Sequence, residues 1–294
     1  MINRFIPRSA NPEALTASIQ RTILFVPIKF QPLLLMLKTI HKTTDQYGTI
    51  EVLDDGAKRY LTFGNDHEQS LQIKASPHIP QHEYSRAIMM VLLFVQPQSV
   101  CILGLGGGTM ALAFLNALKQ PDTSPDTHIN PHTRPHISAV ELRPSVVKIA
   151  HHYFQLGKYE NLSIHKQDAA VFLEHSTEKY DVLIADMYHH HGIDEAQLKN
   201  DFIKKCAHSV SHDGWLVLNY WLDHDINDAI LSPLFEHFEH IFVCNSGGGN
   251  KILYAGREKP KNDYLDAKCI KPLAKKLGFS LNYYLKRLQV LVAK

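Results

Sequence analysis

The spacing of apolar and polar residues divides the chain into a region of alternating strands and a region of strands and helices. Residues 41–75 alternate apolar and polar side chains around an Asp-Asp-Gly turn at 54–56, which is typical of a β-hairpin in a small sheet. From Tyr84 to Phe94 apolar residues recur at helical spacing, and Pro97 ends that helix. Strands and helices then alternate along the chain.

Five strand–helix repeats and a closing hairpin make up the second region. The first two predicted strands lie at Val100–Leu103 and Ile137–Leu142, the segment LSIHKQDAAVFL from Leu162 is a strand that turns into a helix near Asp168, and two further strands lie at Tyr180–Asp186 and Gly214–Trp221. The other predicted helices lie at Met110–Leu118, Pro144–Phe154, about Ala196–Ser209 and around Asp228–His237. This order predicts an α/β fold with a doubly wound sheet and helices on both faces. We therefore divide the chain into an N-terminal extension (1–40), a small β-sheet domain (41–83), a Rossmann-like domain (84–256) and a basic helical tail (257–294).

The two ends of the chain need separate treatment because each suggests a surface function. The apolar stretch Arg21–Ile40 is interrupted by Pro27, Lys29 and Pro32, so it predicts neither a membrane span nor a signal. We expect a strand or helix that docks on the domain or on a partner subunit, with peripheral membrane contact as the alternative. The segment 257–294 holds ten Lys or Arg against three acids. Its helically spaced apolar residues favour an amphipathic helix with a solvated basic face over a nucleic-acid tail.

Composition excludes several classes of function. The chain has 31 basic and 29 acidic side chains among 294 residues, so its overall charge selects neither nucleic acid nor membrane. Four widely spaced cysteines indicate reduced thiols in the cytoplasm rather than a disulfide framework. Histidine occurs 19 times, with clusters at His128–Ser138, His151-His152 and Tyr188–Gly192, but no Cys or carboxylate partner recurs at a metal-ligand spacing. We expect no metal.

A glycine-rich turn and three acids carry the candidate chemistry. The turn Gly104–Gly108 joins the first strand to its helix, where bare backbone and a helix N-terminus approach a ligand closely. Glu141 ends the second strand, Asp168 follows the third and Asp186 ends the fourth, so all meet at one edge of a parallel sheet. Acids there suit the ribose hydroxyls, the adenine amino group and a cationic sulfonium.

Two alternatives apply to this arrangement. A dinucleotide site is possible in the same fold, but the turn reads G-L-G-G-G rather than G-x-G-x-x-G, and Asp168 and Asp186 would repel a pyrophosphate. Each acid taken alone is equally well a helix cap or a surface carboxylate. An adenosyl sulfonium site explains all of the acids together.

The stretch Tyr47–Gly256 resembles the spermidine synthase-like proteins of the polyamine synthase superfamily. The matching segments are YGTIEV, Gln69-Ser70, YSRAIMMVLLF, ILGLGGGTMA, VELRPSVV, QDAAVFL, YDVLIADMY and GWLVLNYW. The resemblance implies a small N-terminal β domain and a Rossmann-like methyltransferase fold. It implies that Glu141 binds the ribose, Asp168 the adenine, and that Asp186 is the base. The candidate catalytic residues are Asp186, Tyr188, His189 and Tyr84, and the candidate nucleotide-binding residues are Gln69, Gly104, Gly106, Gly107, Gly108, Glu141, Asp168 and Ala169.

The chain departs from the family pattern at three places. Gly107 stands where aminopropyltransferases have the acid of a G-G-G-D-G turn. His189 stands where a second aspartate follows the strand-four acid. The family's Tyr-His-Glu motif is replaced by Tyr84-Ser85-Arg86, unless a shifted register aligns His82-Glu83. Loss of two acids weakens the attraction for a primary ammonium on the donor, and His189 itself has a suitable pKa for a base.

The resemblance implies an enzyme that transfers an aminopropyl group from decarboxylated S-adenosylmethionine to a small-molecule amine such as a polyamine. A methyltransferase that uses S-adenosylmethionine is the first alternative, because the fold and the nucleotide contacts are shared. A protein that binds a nucleotide or polyamine without catalysis is the second. We expect a cytoplasmic homodimer without a metal, a nucleic acid or a membrane as partner.

Overall fold

The computed structural model describes residues 37–64, 68–119, 134–189, 192–193, 197, 199–221, 226 and 228–293, with backbone alone at 189 and 192–193. They belong to one compact unit, Met36–Lys294. Most of the predicted docking segment Arg21–Ile40 and of the histidine-rich stretch before His136 lies outside the described residues.

The alternating region forms the small antiparallel sheet that its pattern predicts. Its strands pair in chain order, β1-β2-β3-β4, and span Lys38–Asp45, Gly48–Asp54, Lys58–Thr62 and Glu68–Ile73. The Asp-Asp-Gly turn joins β2 to β3, where the Asp55 N–H donates to the Lys58 carbonyl at 3.3 Å. Ile50 and Val52, which alternate along β2, and Leu61 of β3 are fully buried. The sheet therefore has the one-sided apolar face that period-two alternation requires.

The helix predicted over Tyr84–Phe94 is two short helices. Helix α1 spans Glu83–Ile88 and α2 spans Val91–Phe94, with the Met90 N–H donating to the Ala87 carbonyl in the turn between them. The prediction assumed an amphipathic helix with one apolar stripe, but all residues from Ala87 to Val95 are buried. The break lets both segments turn their side chains into the core.

The second region forms one sheet of eight strands. Its elements are, in chain order, β5 Ser99–Leu103, α3 Thr109–Ala117, β6 His136–Val140, α4 Pro144–Tyr153, β7 Leu162–His165, α5 Ala169–His175, β8 Tyr180–Ala185, β9 Tyr188–His189, β10 Gly192–Ile193, α6 Asn200–Ser209, β11 Val210–Trp221, α7 Asp228–His237, β12 His240–Asn245, β13 Asn250–Gly256, α8 Ala267–Leu277, α9 Asn282–Leu285 and β14 Leu288–Leu291. The strand order is β14-β12-β13-β11-β8-β5-β6-β7. Within the described residues, β9 and β10 form a separate two-stranded sheet.

The direction of the strands confirms the predicted α/β fold. Strands β7, β6, β5, β8 and β11 are parallel, and the hairpin β12–β13 joins them antiparallel to β11. Two buried clusters lie on opposite faces of this sheet, since alternate residues of β5, β8 and β11 belong to different clusters. After β5 the chain continues to β6 on one side and returns to β8 on the other, so the carboxyl end of β5 is the switch point where ligands bind in such sheets.

The C-terminal segment contains more than the predicted helix. Helix α8 lies against α3, where Asn116 Nδ2 donates to the Lys276 carbonyl at 3.0 Å, and its lysines remain largely exposed. Strand β14 was not predicted; it pairs antiparallel with β12 and extends the large sheet. The boundaries proposed between the domains remain predictions. In the part of the chain that the structure describes, no helix combines the length and the apolarity needed to cross a bilayer.

A substitution at Gly104 tests how closely the turn after β5 approaches the backbone of Asp186, which follows β8. Gly104 has φ +99, and a Cβ there would overlap the Asp186 carbonyl oxygen, whereas Gly56 has φ +92 with no atom within 4 Å of its Cβ position. We expect Gly56→Ala to lower the free energy of unfolding by about 1 kcal/mol, and Gly104→Ala to lower it by at least about 3 kcal/mol. Urea unfolding of both variants measures this, and equal losses would contradict the close approach.

Candidate active site

A cavity of about 660 Å³ opens at the carboxyl ends of the central parallel strands. The residues that follow β5, β6 and β8 and the last residues of β11 line it, together with parts of β4, α1 and the β12–β13 turn. Nine predicted site residues border this cavity: Gln69, Tyr84, Gly104, Gly106, Glu141, Asp168, Ala169, Asp186 and Tyr188. Gly107 and Gly108 do not line it. The side chain of His189 lies outside the described residues.

The glycine turn packs mainly against the chain itself. The Gly107 N–H donates to Ser70 Oγ of β4 at 2.8 Å, and a Cβ on Gly107 would lie 2.8 Å from Phe154 Cδ1. A Cβ on Gly108 would lie 3.0 Å from Leu156 Cδ2. These two glycines therefore permit close packing of the turn against β4 and the end of α4. A carboxylate at position 107 would meet Phe154 and Ser70, so its absence matches the packing there.

Glu141 joins the glycine turn to the loop that follows β6. Its Oε2 accepts the N–H groups of Leu105 at 3.1 Å and Gly106 at 3.4 Å, and its Oε1 accepts the Arg143 N–H at 2.9 Å. The side chain is buried, and burial raises the pKa of the Glu141 carboxyl while these three hydrogen bonds oppose the shift. Glu141 thus organises the wall of the cavity where the sequence predicted a ribose contact.

Asp168 has the role of a helix cap and also borders the cavity. Its Oδ1 accepts the Val171 N–H at 3.0 Å, which satisfies a free N–H in the first turn of α5. The neighbouring Gln167 and Ala169 also line the cavity. Asp168 therefore caps α5 and borders the cavity at the same time, because an N-cap residue that follows a parallel strand lies at the same edge of the sheet as the cavity.

Asp186 is the titratable group best placed for proton transfer. It follows β8, lines the cavity and is partly buried, and the resulting desolvation raises the pKa of its carboxyl to about 6. Asn219 Nδ2 donates to its Oδ1 at 2.8 Å and opposes the shift. A carboxyl with this pKa is mostly ionised at neutral pH and still basic enough to accept a proton.

Two tyrosines form an aromatic wall beside Asp186. Tyr84 stacks on His82 with ring centroids 5.3 Å apart, and Tyr188 stacks on Trp221 at 5.7 Å. Burial, together with the charge of Asp186, raises the pKa of both phenols above their usual range. Both tyrosines are therefore neutral at physiological pH, and their hydroxyls remain hydrogen-bond donors.

Several lining residues were not predicted from the sequence. Ser70 is brought to the site by β4, Asn219 and Trp221 by the end of β11, and Asn250 by the start of β13. The rule that residues at strand ends line the crevice would have found Asn219 and Trp221, because GWLVLNYW was already identified as a strand. Ser70 belongs to the matching segment Gln69-Ser70 but was not predicted as a site residue, and Asn250 reaches the cavity only through the pairing of distant segments.

Metal-binding groups do not converge in the described part of the chain, where no three His, Cys, Asp or Glu side chains could hold an ion. All four cysteines are unpaired, and Cys101, Cys206 and Cys244 are buried.

Comparison with known proteins gives matches over the same region. The family model described as the spermine/spermidine synthase domain matches residues 81–242. A polyamine aminopropyltransferase of Neisseria meningitidis serogroup A is 29% identical over 222 residues, which cover 74% of this chain and 79% of that protein. A polyamine aminopropyltransferase of Vibrio vulnificus is 26% identical over 226 residues, covering 73% and 71%.

Solved structures share the fold. A probable spermidine synthase from Corynebacterium glutamicum superimposes with a TM-score of 0.63 at 20% identity, covering 85% of this chain and 89% of that one. The spermidine synthase from Thermotoga maritima gives a TM-score of 0.63 at 13% identity, covering 87% and 86%. The Rossmann-like fold predicted from the resemblance is confirmed.

Replacement of Asp186 should show that its charge destabilises the fold. With a pKa of about 6 in the folded state and about 3.9 unfolded, the folded chain binds more protons between these values, so the free energy of unfolding decreases as pH rises through that interval. We expect Asp186→Asn to raise Tm at about pH 8 and to leave it nearly unchanged at about pH 3.5. Differential scanning calorimetry across pH measures this.

The exposed Asp201 of α6 supplies a control for net charge. An Asp201→Asn variant removes one negative charge without removing a desolvated one. A gain in Tm that is equal for both variants, or independent of pH, would show that burial of Asp186 costs nothing.

Proposed function

This chain belongs to the spermine/spermidine synthase domain family, and we propose that it is a transferase that moves an aminopropyl group from decarboxylated S-adenosylmethionine to a small-molecule amine in polyamine biosynthesis. The named relatives, both polyamine aminopropyltransferases, support the reaction class. A solved spermidine synthase in complex with the transition state analogue AdoDATO shares the fold, with a TM-score of 0.61, 13% identity and coverage of 87% and 86%.

The charge of the cavity is the observation that supports this donor. Five acids line the cavity: Glu68, Glu83, Glu141, Asp168 and Asp186. Among the described lining residues Arg143 is the one Lys or Arg, and its guanidinium is bound to both oxygens of Asp45 at 2.8 and 3.1 Å. Such a cavity attracts a sulfonium and an ammonium. Its described lining residues include no Lys or Arg that is free to pair with a carboxylate of the donor. Decarboxylated S-adenosylmethionine has the first two groups and lacks the third.

The donor would lie along the edge of the sheet with its nucleoside near the glycine turn. We assign the ribose to Glu141, the adenine to Asp168 and Ala169, and the remaining nucleotide wall to Gln69, Gly104 and Gly106. Gly107 and Gly108 support this wall through their packing. The arrangement leaves the side of the cavity with Asp186, Tyr84 and Tyr188 for the amine.

The reaction is a displacement at the carbon attached to sulfur. The amine nitrogen attacks the first methylene of the aminopropyl group, the C–N bond forms, and the C–S bond breaks with its electron pair left on sulfur. Asp186 first accepts a proton from the primary ammonium of the acceptor, so that a neutral amine attacks. The products are methylthioadenosine and a secondary ammonium that keeps its proton, and Asp186 then returns its own proton to solvent. We assign Asp186 as the base, because an amine is protonated at neutral pH and must lose a proton to attack. Tyr84 and Tyr188 orient the amine with neutral hydroxyls, and His189 is the further candidate base.

The setting of the reaction is part of the proposal. Four unpaired cysteines support a cytoplasmic protein, since thiols stay reduced there. We propose a homodimer that acts on a free amine without a metal, nucleic acid or membrane.

Product analysis tests the reaction. Incubation with decarboxylated S-adenosylmethionine and putrescine, cadaverine, spermidine or agmatine should yield methylthioadenosine by mass spectrometry. We expect Asp186→Asn to lower kcat by about 10²-fold or more with donor affinity unchanged, and kcat/KM of the wild type to decline below about pH 6 as Asp186 is protonated. Formation of adenosylhomocysteine from S-adenosylmethionine would establish methylation instead, and no product from either donor would favour a binding protein.

Donor affinity tests the charge argument separately. Because the carboxylate of S-adenosylmethionine would enter a cavity lined by five acids, we expect calorimetry to show at least about tenfold weaker binding than for the decarboxylated donor. Glu68→Gln and Glu83→Gln should narrow this difference. Tighter binding of S-adenosylmethionine would exclude the aminopropyl donor.

A further inference from the structure

Two buried asparagines connect Asp186 to the turn between β12 and β13. Asn219 is fully buried and Asn250 is 6% exposed. In the antiparallel pairing of β11 with β13, Trp221 lies opposite Asn250, and Asn219 lies opposite Ile252. The two asparagines are therefore diagonal neighbours on one face of the ladder, where side chains are within reach of each other.

Their hydrogen bonds form a directed chain. Asn250 Nδ2 donates to Asn219 Oδ1 at 2.9 Å, and Asn219 Nδ2 donates to Asp186 Oδ1 at 2.8 Å. Asn250 Nδ2 also donates to the Tyr188 hydroxyl at 3.3 Å, and that hydroxyl donates to the Asn219 carbonyl at 3.1 Å. Both protons of the Asn250 amide nitrogen thus have acceptors within one small network.

The chain of hydrogen bonds is consistent in only one orientation of the Asn219 amide. A reversed amide would direct its oxygen at the Asp186 carboxylate and its NH2 at the NH2 of Asn250, which would place like partial charges together at both ends. Because Asn250 contributes a donor, it fixes the oxygen end of Asn219. The nitrogen end is then left facing Asp186.

We propose that Asn219 is a positioning residue for the Asp186 base and that Asn250 holds Asn219 in the donating orientation. The inference rests on the proposed function in so far as Asp186 accepts the proton of the amine. Neither asparagine touches the reacting atoms in this scheme.

We call the hydrogen bonds from Asn250 through Asn219 to Asp186 the relay, and they have two consequences for Asp186. Its Oδ1 is occupied, while no hydrogen bond to its Oδ2 is found within the described residues, so Oδ2 is the oxygen that receives the proton. A hydrogen bond to the ionised carboxylate also favours that form over the protonated one. It counteracts the burial of Asp186 and keeps the base available at neutral pH.

Substitution of the asparagines tests the relay through the pH profile. Asn219→Leu removes the donor to Asp186, and we expect the acid limb of kcat/KM to move upward by about one pH unit. Asn250→Ala keeps the Asn219 Nδ2 donor beside Asp186 but removes the group that fixes the orientation of the Asn219 amide. We therefore expect a smaller shift of the acid limb in the same direction. The double variant should shift no further than Asn219→Leu alone, because the residues act in series.

Asn161→Ala is the matched control. Asn161 is half-buried and donates through Nδ2 to the Pro135 carbonyl at 2.8 Å, away from the cavity. Loss of this amide should leave the acid limb where it is. An acid limb that stays within about 0.3 pH unit in Asn219→Leu, or additive shifts in the double variant, would overturn the relay.

A direct titration separates this inference from the proposed function. Carbon-13 NMR of the labelled full chain reports the Asp186 carboxyl, identified by its loss in Asp186→Asn. We expect its pKa to increase in Asn219→Leu and less in Asn250→Ala. If the chain transfers no group but these shifts occur, the proposed function fails while the relay stands; if transfer occurs and the carboxyl titrates identically in all three, the relay fails alone.

Discussion

One buried carboxylate, Glu141, holds the site together. It accepts the N–H groups of Leu105 and Gly106 in the glycine turn and the N–H of Arg143. The Arg143 side chain continues the connection to Asp45 and to the Gly48 carbonyl in the first hairpin. The turn, the loop after β6 and the small sheet are therefore fixed relative to one another through two charged residues of that loop, Glu141 and Arg143. Because an unsatisfied buried carboxylate costs much more than a paired one, the network constrains all three segments at once.

Much of the site followed from the sequence because parallel strands end at a shared edge. The positions of Glu141, Asp168 and Asp186 could be inferred from three apolar runs and one rule of topology. The membership in the spermidine synthase family, suggested by short motifs, is confirmed by the match over residues 81–242. The roles assigned to the individual side chains remain proposals.

The parts that could not be predicted depend on tertiary packing. The break between α1 and α2 arises because every side chain there is buried, which a periodic pattern does not reveal. Strand β14 is a four-residue run inside a helical pattern, and it adopts the strand conformation because it pairs with the edge of β12. The glycine turn was expected to approach a ligand along its whole length, but Gly107 and Gly108 instead accommodate Phe154 and Leu156. Local patterns do not contain these long-range partners.

Strand β14 also determines how the molecule can be handled. It covers the edge of β12 over Ile241–Cys244, and its own outer side carries the exposed Val290. Trimming of the final ten residues would leave backbone donors and acceptors of β12 without partners, a known template for intermolecular strand pairing. Loss of β14 would therefore favour intermolecular pairing at β12, so an affinity handle attached after β14 needs a flexible spacer that leaves this strand in place.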